Sequence, residues 1–129
     1  MTRIASLWLP VVGFMAGVWF LSDPVSAQAP ALISDKLLHF AAYGAFGLAN
    51  LRAFHGGFHR PRIWATVAAL VLTAGFGALD EWRQSGVTIR EASWLDWLAD
   101  LGGGIAAVIC LRVAPWIDAE RNDSDATAP

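Results

Sequence analysis

Apolar positions gather into four long runs separated by short polar stretches. The runs extend from Ile4 to Leu21, Leu37 to Phe54, Ile63 to Leu79 and Leu95 to Val113. Crossing a hydrocarbon core of ~30 Å takes roughly 20 helical residues, so each run has about the length of one membrane-spanning helix. The third is the cleanest, with no charge between Arg62 and Asp80. Strict apolar–polar alternation, the mark of a barrel strand, is absent. The pattern predicts an all-α chain, an integral membrane bundle of four transmembrane helices.

Polar residues break this pattern mainly on one side. Asp35, Lys36 and His39 open the second run, Asp80, Glu81 and Gln84 close the third, Arg90 lies in the next loop, and Asp96 and Asp100 open the fourth. Because successive spans alternate in direction, all of these fall at one membrane face. Span length then sets their depth. Only Leu101 to Leu111 is free of charge before Arg112, about 16 Å of helix at ~1.5 Å per residue, so Asp100 and Asp96 must sit below the interface. His39, about 18 Å of helix from Arg52, is drawn into the boundary region by the same demand. An Asp at mid-membrane costs about 2.5–3.5 kcal/mol on insertion scales, so these groups should face the bundle interior.

Spacing supports one shared face. Asp35, His39 and Tyr43 recur every four residues, a single stripe along a helix. Asp80 and Gln84 are four apart where the third helix extends past its apolar end. So are Asp96 and Asp100, with Gly103 or Gly104 next on that side, where a second helix can approach closely. Gly13 and Gly17 form another small-residue pair. Simpler roles exist for some of these groups. Ser34 with Asp35, and Ser93 with Asp96, have the form of helix N-caps. Lys36, Arg83 and Arg90 read equally as solvated loop charges, and His55 and His59 as loop residues. Capping does not account for His39, Glu81 or Asp100.

Composition narrows the class. The 129 residues make one domain, 56% apolar and 16% charged, too apolar for a soluble fold of this size. The net charge of -2 and the absence of a basic run exclude nucleic acid as a partner. Cys110 has no second cysteine to pair with. Arg3, Arg52, Arg60, Arg62, Arg112 and Arg121 flank the spans on one side, against Lys36, Arg83 and Arg90 on the other. By the positive-inside rule both termini are cytoplasmic and the polar cluster faces outward. Trp8, Trp64 and Trp116 on the inner side, and Trp19, Trp82, Trp94 and Trp97 on the outer, fit interfacial belts. The first run also has features of a secretory signal with a cleavage site near Val25 to Ala29, but its length favours a retained helix. Residues 1–118 then form the membrane domain, and the acidic stretch Ala119 to Pro129 a short disordered tail.

The ordered motifs Asp35-Lys36-x-x-His39-Phe40-x-x-Tyr43, Asp80-Glu81-x-x-Gln84, Arg90 and Asp96-x-x-x-Asp100-x-x-Gly103 resemble the VanZ-like family of bacterial membrane proteins. The resemblance runs from about Asp35 to Gly104. This chain departs from the family at Ser85-Gly86-Val87-Thr88-Ile89, where a Phe and a Pro are usual, and at Asp100, where many members carry Asn. The resemblance implies a multi-pass protein of the bacterial inner membrane. The family's founding member is linked to low-level resistance to the glycopeptide teicoplanin, and most relatives have no assigned chemistry.

Two functions fit the residues. As a cell-envelope binding or accessory protein, the chain would use Lys36, Arg83 and Arg90 to engage phosphate or carboxylate of a lipid-linked cell-wall intermediate or another membrane protein. Its acids would orient these cations and accept hydroxyls or amides of the ligand. As an intramembrane enzyme on such an intermediate, it would use His39 as general acid or base oriented by Asp35. Glu81 with Asp96 or Asp100 would then hold a divalent cation such as Mg²⁺, and Arg90 would stabilise phosphoryl charge. No cofactor is specified by the sequence. An ion pathway is disfavoured, since little polarity continues beneath the cluster.

Overall fold

A computed structural model of the chain describes residues 3–26, 34–58, 62–86 and 93–114. They form four helices: α1 (Arg3–Ser26), α2 (Asp35–His55), α3 (Ile63–Gln84) and α4 (Trp94–Val113). No strand occurs among the described residues. α1, α3 and α4 are long and apolar enough to cross a membrane. α2 matches them in length, but Asp35, Lys36, His39, Asn50 and Arg52 lower its apolarity. Polar side chains are buried beside an apolar core, and many large apolar side chains face outward. Asp80, Gln84, Asp100, Asn50 and Thr73 are buried, while Ile4, Phe20, Val67, Val71, Ile109 and Val113 face outward. Apolar solvent around the bundle reconciles both facts.

Helix ends follow local chemistry. Gly56 closes α2 in the left-handed conformation, φ 73°, which costs little without a Cβ. Its N–H bonds to Ala53 O, and that of Gly57 to Arg52 O at 2.9 Å, so two terminal carbonyls are satisfied. The expected side-chain caps do not form: neither Ser34 nor Ser93 makes a capping bond. α3 does run past its apolar end, carrying Asp80, Glu81 and Gln84 as one more helical turn.

Interhelical contacts define directions. His39 meets Asp100, so the N-terminal ends of α2 and α4 lie together. Glu81 reaches Ser93, which brings the end of α3 to the same place. Arg3 Nη2 bonds to Gly56 O at 3.1 Å and Arg52 Nη1 to Ser6 O at 2.9 Å, pinning the start of α1 to the end of α2. The bundle thus has a polar end, built by three helices, and an opposite end carrying Arg3 and Arg52. Trp19, Trp82 and Trp94 are exposed near the polar end and Trp64 near the other. Trp97 departs from the expected belt, since its Nε1–H donates to Ala74 O at 3.0 Å. Trp116 and residues 119–129 lie outside the described residues, as do Ala27 to Ala29 of the alternative cleavage site.

α2 and α4 make the broadest contact in the bundle, along a seam of glycines. A Cβ on Gly103 would collide with the Phe40 carbonyl oxygen and stand 2.7 Å from Gly44 N. A Cβ on Gly47 would stand 3.0 Å from Gly104 Cα. Backbone therefore meets backbone, as the glycines of the fourth run predict. Gly13 and Gly17 play no such part, since a Cβ on either would meet nothing within 4 Å. α1 instead packs through side chains: Val11 is buried, Phe14 stacks on Phe46 at 4.5 Å, and Trp8 meets Phe54 edge-on at 5.2 Å.

Gly103→Ala should lower stability by about 1–3 kcal/mol, the usual cost of overpacking, and Gly103→Leu should prevent α2 and α4 from docking. Gly13→Ala should leave stability unchanged. Thermal unfolding of the three variants in one detergent checks this ordering.

Candidate functional site

The polar end is assembled from three short segments, each placed by its own helix. The first turns of α2 supply Asp35, Lys36 and His39, with Tyr43 below. The last turns of α3 supply Asp80, Glu81 and Gln84, and the first turns of α4 supply Asp96 and Asp100. The glycine seam holds α2 and α4 close enough for their side chains to pair directly.

His39 Nδ1 and Asp100 Oδ1 are 2.8 Å apart. Asp100 is fully buried, at 0% exposure, and His39 nearly so. The pair is the centre of the site. Sequence spacing favours Asp35, one turn away on α2, as the carboxylate that orients His39. In the bundle Nδ1 meets Asp100 of a different helix, and Asp35 remains close by. Behind Asp100, a Cβ on Gly77 would lie 2.7 Å from Oδ2, so only glycine leaves room for the carboxylate. Gly77 shares the α3 face that carries Asp80, Glu81 and Gln84. That spacing is readable in the sequence, but the need for glycine is not, because it depends on α4. The Tyr43 ring lies nearly parallel to His39, with centroids 6.2 Å apart and planes 9° apart. The stripe predicted for α2 is real, although its first member, Asp35, is exposed and its other two are buried.

The remaining groups form a second tier. Lys36 Nζ lies 3.2 Å from Asp96 Oδ1, linking α2 to α4 above the His39–Asp100 pair. Asp96 therefore serves an interhelical ion pair rather than a capping box with Ser93. Asp80 Oδ1 accepts from Arg83 Nη2 at 2.9 Å and Nε at 3.3 Å, and Oδ2 accepts from Gln84 Nε2 at 2.9 Å. The Arg83 guanidinium also lies over the Trp19 ring, 5.6 Å from its centroid. Arg83 thus braces α3 against α1 and is not a solvated loop charge. Glu81 Oε2 accepts the Ser93 N–H at 2.8 Å, which satisfies a backbone donor at the start of α4 in place of the missing cap. Lys36 differs from all of these, with half of its side chain exposed (51%). Arg90 lies outside the described residues.

Several acceptors and hydroxyls remain available inside the site. The Tyr43 hydroxyl, Gln84 Oε1 and Asp100 Oδ2 are buried without a hydrogen-bond partner among the described residues. Such groups are costly in a low-dielectric interior unless a ligand or water completes them. Glu81 and Asp100, which the sequence offered as metal ligands, are engaged with Ser93 and His39 respectively. The residues whose ligand atoms come together are Asp35, His39 and Asp96, all within 4.8 Å of one another.

Two polar features lie elsewhere. Asn50 Nδ2 donates to Thr73 Oγ1 at 3.0 Å, and Thr73 donates to Ala69 O at 2.8 Å, a link between α2 and α3 deep in the bundle. The sequence signal was an Asn within an apolar run. His55 Nε2 accepts the Arg62 N–H at 3.0 Å, a loop role as expected, while His59 is outside the described residues. Comparison of the chain with protein families, with characterised proteins and with solved structures found no match.

His39→Ala leaves a buried carboxylate without its partner and should cost about 3–5 kcal/mol. Asp100→Ala should be milder, because neutral imidazole tolerates burial better than a carboxylate. The double variant should be less damaged than the sum of the two, with a coupling of about 1–3 kcal/mol. A double-mutant cycle on unfolding in mixed micelles measures this, and strict additivity would show that the pair does not couple.

Proposed function

We propose that this chain is a four-span protein of the bacterial inner membrane, and that the polar end of its bundle binds the head group of an envelope lipid or lipid-linked cell-wall intermediate. The observation that carries this reading is a constellation of buried carboxylates from α3 and α4, with His39 and Lys36 of α2, at one end of an otherwise apolar bundle. The acceptors without donors among the described residues, Gln84 Oε1 and Asp100 Oδ2, suit the hydroxyls and amides of a sugar- or peptide-bearing head group. Half-exposed Lys36 suits its phosphate, and Arg90 would add a bidentate contact.

The order of the motifs supports a VanZ-like assignment, and with it a role as an envelope accessory that bears on glycopeptide resistance. Such a protein would act by competing for the drug's target or its membrane foothold. α2 completes the fourth span in this reading. Its 21 residues cover about 32 Å, and its charged groups lie at its ends or, like His39, turn inward. The Lys and Arg distribution places both termini in the cytoplasm and the polar end outside. Reporter fusions after Gly57 and at the C-terminus should both report the cytoplasm. A fusion after Ser85 should report the outer side.

A second reading, an intramembrane enzyme, is favoured by one observation. His39 with Asp100 at 2.8 Å is a base with its orienting carboxylate already in place. Mass spectrometry of envelope lipids and cell-wall intermediates incubated with the purified protein separates the two. Retention without turnover, reduced at least fivefold by Lys36→Ala with Arg90→Ala, is the expected result. Turnover by the wild type and not by Glu81→Gln would instead establish the enzyme. Neither retention nor turnover would remove both.

A further inference from the structure

We propose that Asp35, His39 and Asp96 form a binding site for a divalent transition metal such as Zn²⁺, with Asp100 as the residue that positions the histidine. The three offer one ligand atom each, all within 4.8 Å of one another. Ligands about 2.0–2.2 Å from a common tetrahedral ion are about 3.3–3.6 Å apart, so closing the widest separation allowed here takes a side-chain movement of about 1.2–1.5 Å. Asp35 is exposed, while His39 and Asp96 are buried beside the α2–α4 seam.

The surroundings of the histidine carry the inference beyond a cluster of acids. Metal-bound histidines generally donate their second ring nitrogen to a carboxylate, which sets the tautomer and makes the imidazole a better ligand. Asp100 does this for Nδ1 at 2.8 Å from a fully buried position. In this proposal the ion takes Nε2, the nitrogen that Asp100 does not engage. The Tyr43 ring lies nearly parallel to the imidazole, one turn along α2. The Tyr43 hydroxyl, on a residue 2% exposed, has no hydrogen-bond partner among the described residues. The charged groups that act on it are Asp100, Asp80, Glu81 and Arg83, which places it beside the carboxylate that positions His39.

Ligand chemistry selects the ion. Mg²⁺ and Ca²⁺ favour all-oxygen shells, whereas one imidazole with two carboxylates suits Zn²⁺, Co²⁺ or Mn²⁺. Three protein ligands leave an open position, as in catalytic rather than structural zinc sites. Lys36 is the competitor. Its ammonium, 3.2 Å from Asp96 Oδ1, neutralises the carboxylate that the metal would use. With its lysine half exposed the pair is weak, so a metal displaces it readily.

The site does not rest on the head-group reading, and the test contains no lipid ligand, so either can fail alone. Co²⁺ is titrated into the full chain in detergent micelles, followed by its visible absorption and then by displacement with Zn²⁺. The expected result is saturable binding of one Co²⁺ per chain, displaced by Zn²⁺ and untouched by excess Mg²⁺. Asp35→Asn, at an exposed position that leaves the fold intact, should weaken binding at least tenfold, as should Asp96→Asn. Lys36→Ala should tighten it at least threefold. Absence of saturable Co²⁺ binding overturns the proposal. So does binding that survives Asp35→Asn unchanged, or that disappears with His55→Ala and His59→Ala, which would place the metal at the opposite end.

Discussion

Gly103 stands so close to the Phe40 carbonyl that only a hydrogen fits between the backbones of α2 and α4. Most of the polar end depends on this approach. With helix axes farther apart, His39 would not reach Asp100 and Lys36 would not reach Asp96. Each carboxylate would then be left in the apolar interior without a counterpart. Helix association in a bilayer gains little from the hydrophobic effect, because lipid tails are as apolar as leucine. Close backbone contact and paired polar groups therefore have to do together what core burial does in water.

The same constraint sorts the charged residues by role. Asp80 accepts from both Arg83 and Gln84, with Arg83 braced on Trp19, and Glu81 holds the start of α4 through the Ser93 N–H. These groups shape the site. His39, Asp96, Lys36 and Asp35 form the part that opens outward from the seam, where the Lys36 side chain is half exposed and Asp35 lies at the surface. The division follows from burial. A charge without access to water must be matched inside the protein, whereas one near the rim can exchange its partner for a ligand.

A bundle end of this kind is suited to recognising what lies at a membrane surface. In the head-group reading proposed above, its acceptors would meet hydroxyls and amides and its lysine a phosphate; its histidine is paired with Asp100. A bound metal would change the balance by replacing the Lys36 charge with an open coordination position. The two proposals use different ligand groups but meet at the Lys36–Asp96 pair, so its strength would decide how readily one binding mode gives way to the other.

The lengths of the apolar runs determined four helices and their approximate limits, since 3.6-residue periodicity and the thickness of a bilayer leave few alternatives. The short distance from Asp100 to Arg112 determined that acids would be buried, and the i, i+4 spacings that they would share a face. Gly103 as a contact point was also legible in the sequence. Partner choice was not. Asp35 is the nearest carboxylate to His39 along the chain, yet Asp100, 61 residues away, takes the histidine. Asp96 leaves its cap for Lys36, and Gly77 is needed because of a side chain on another helix. Local spacing determines which way a residue faces, whereas pairing depends on how closely and at what height neighbouring helices pack. Only the tertiary structure decides that.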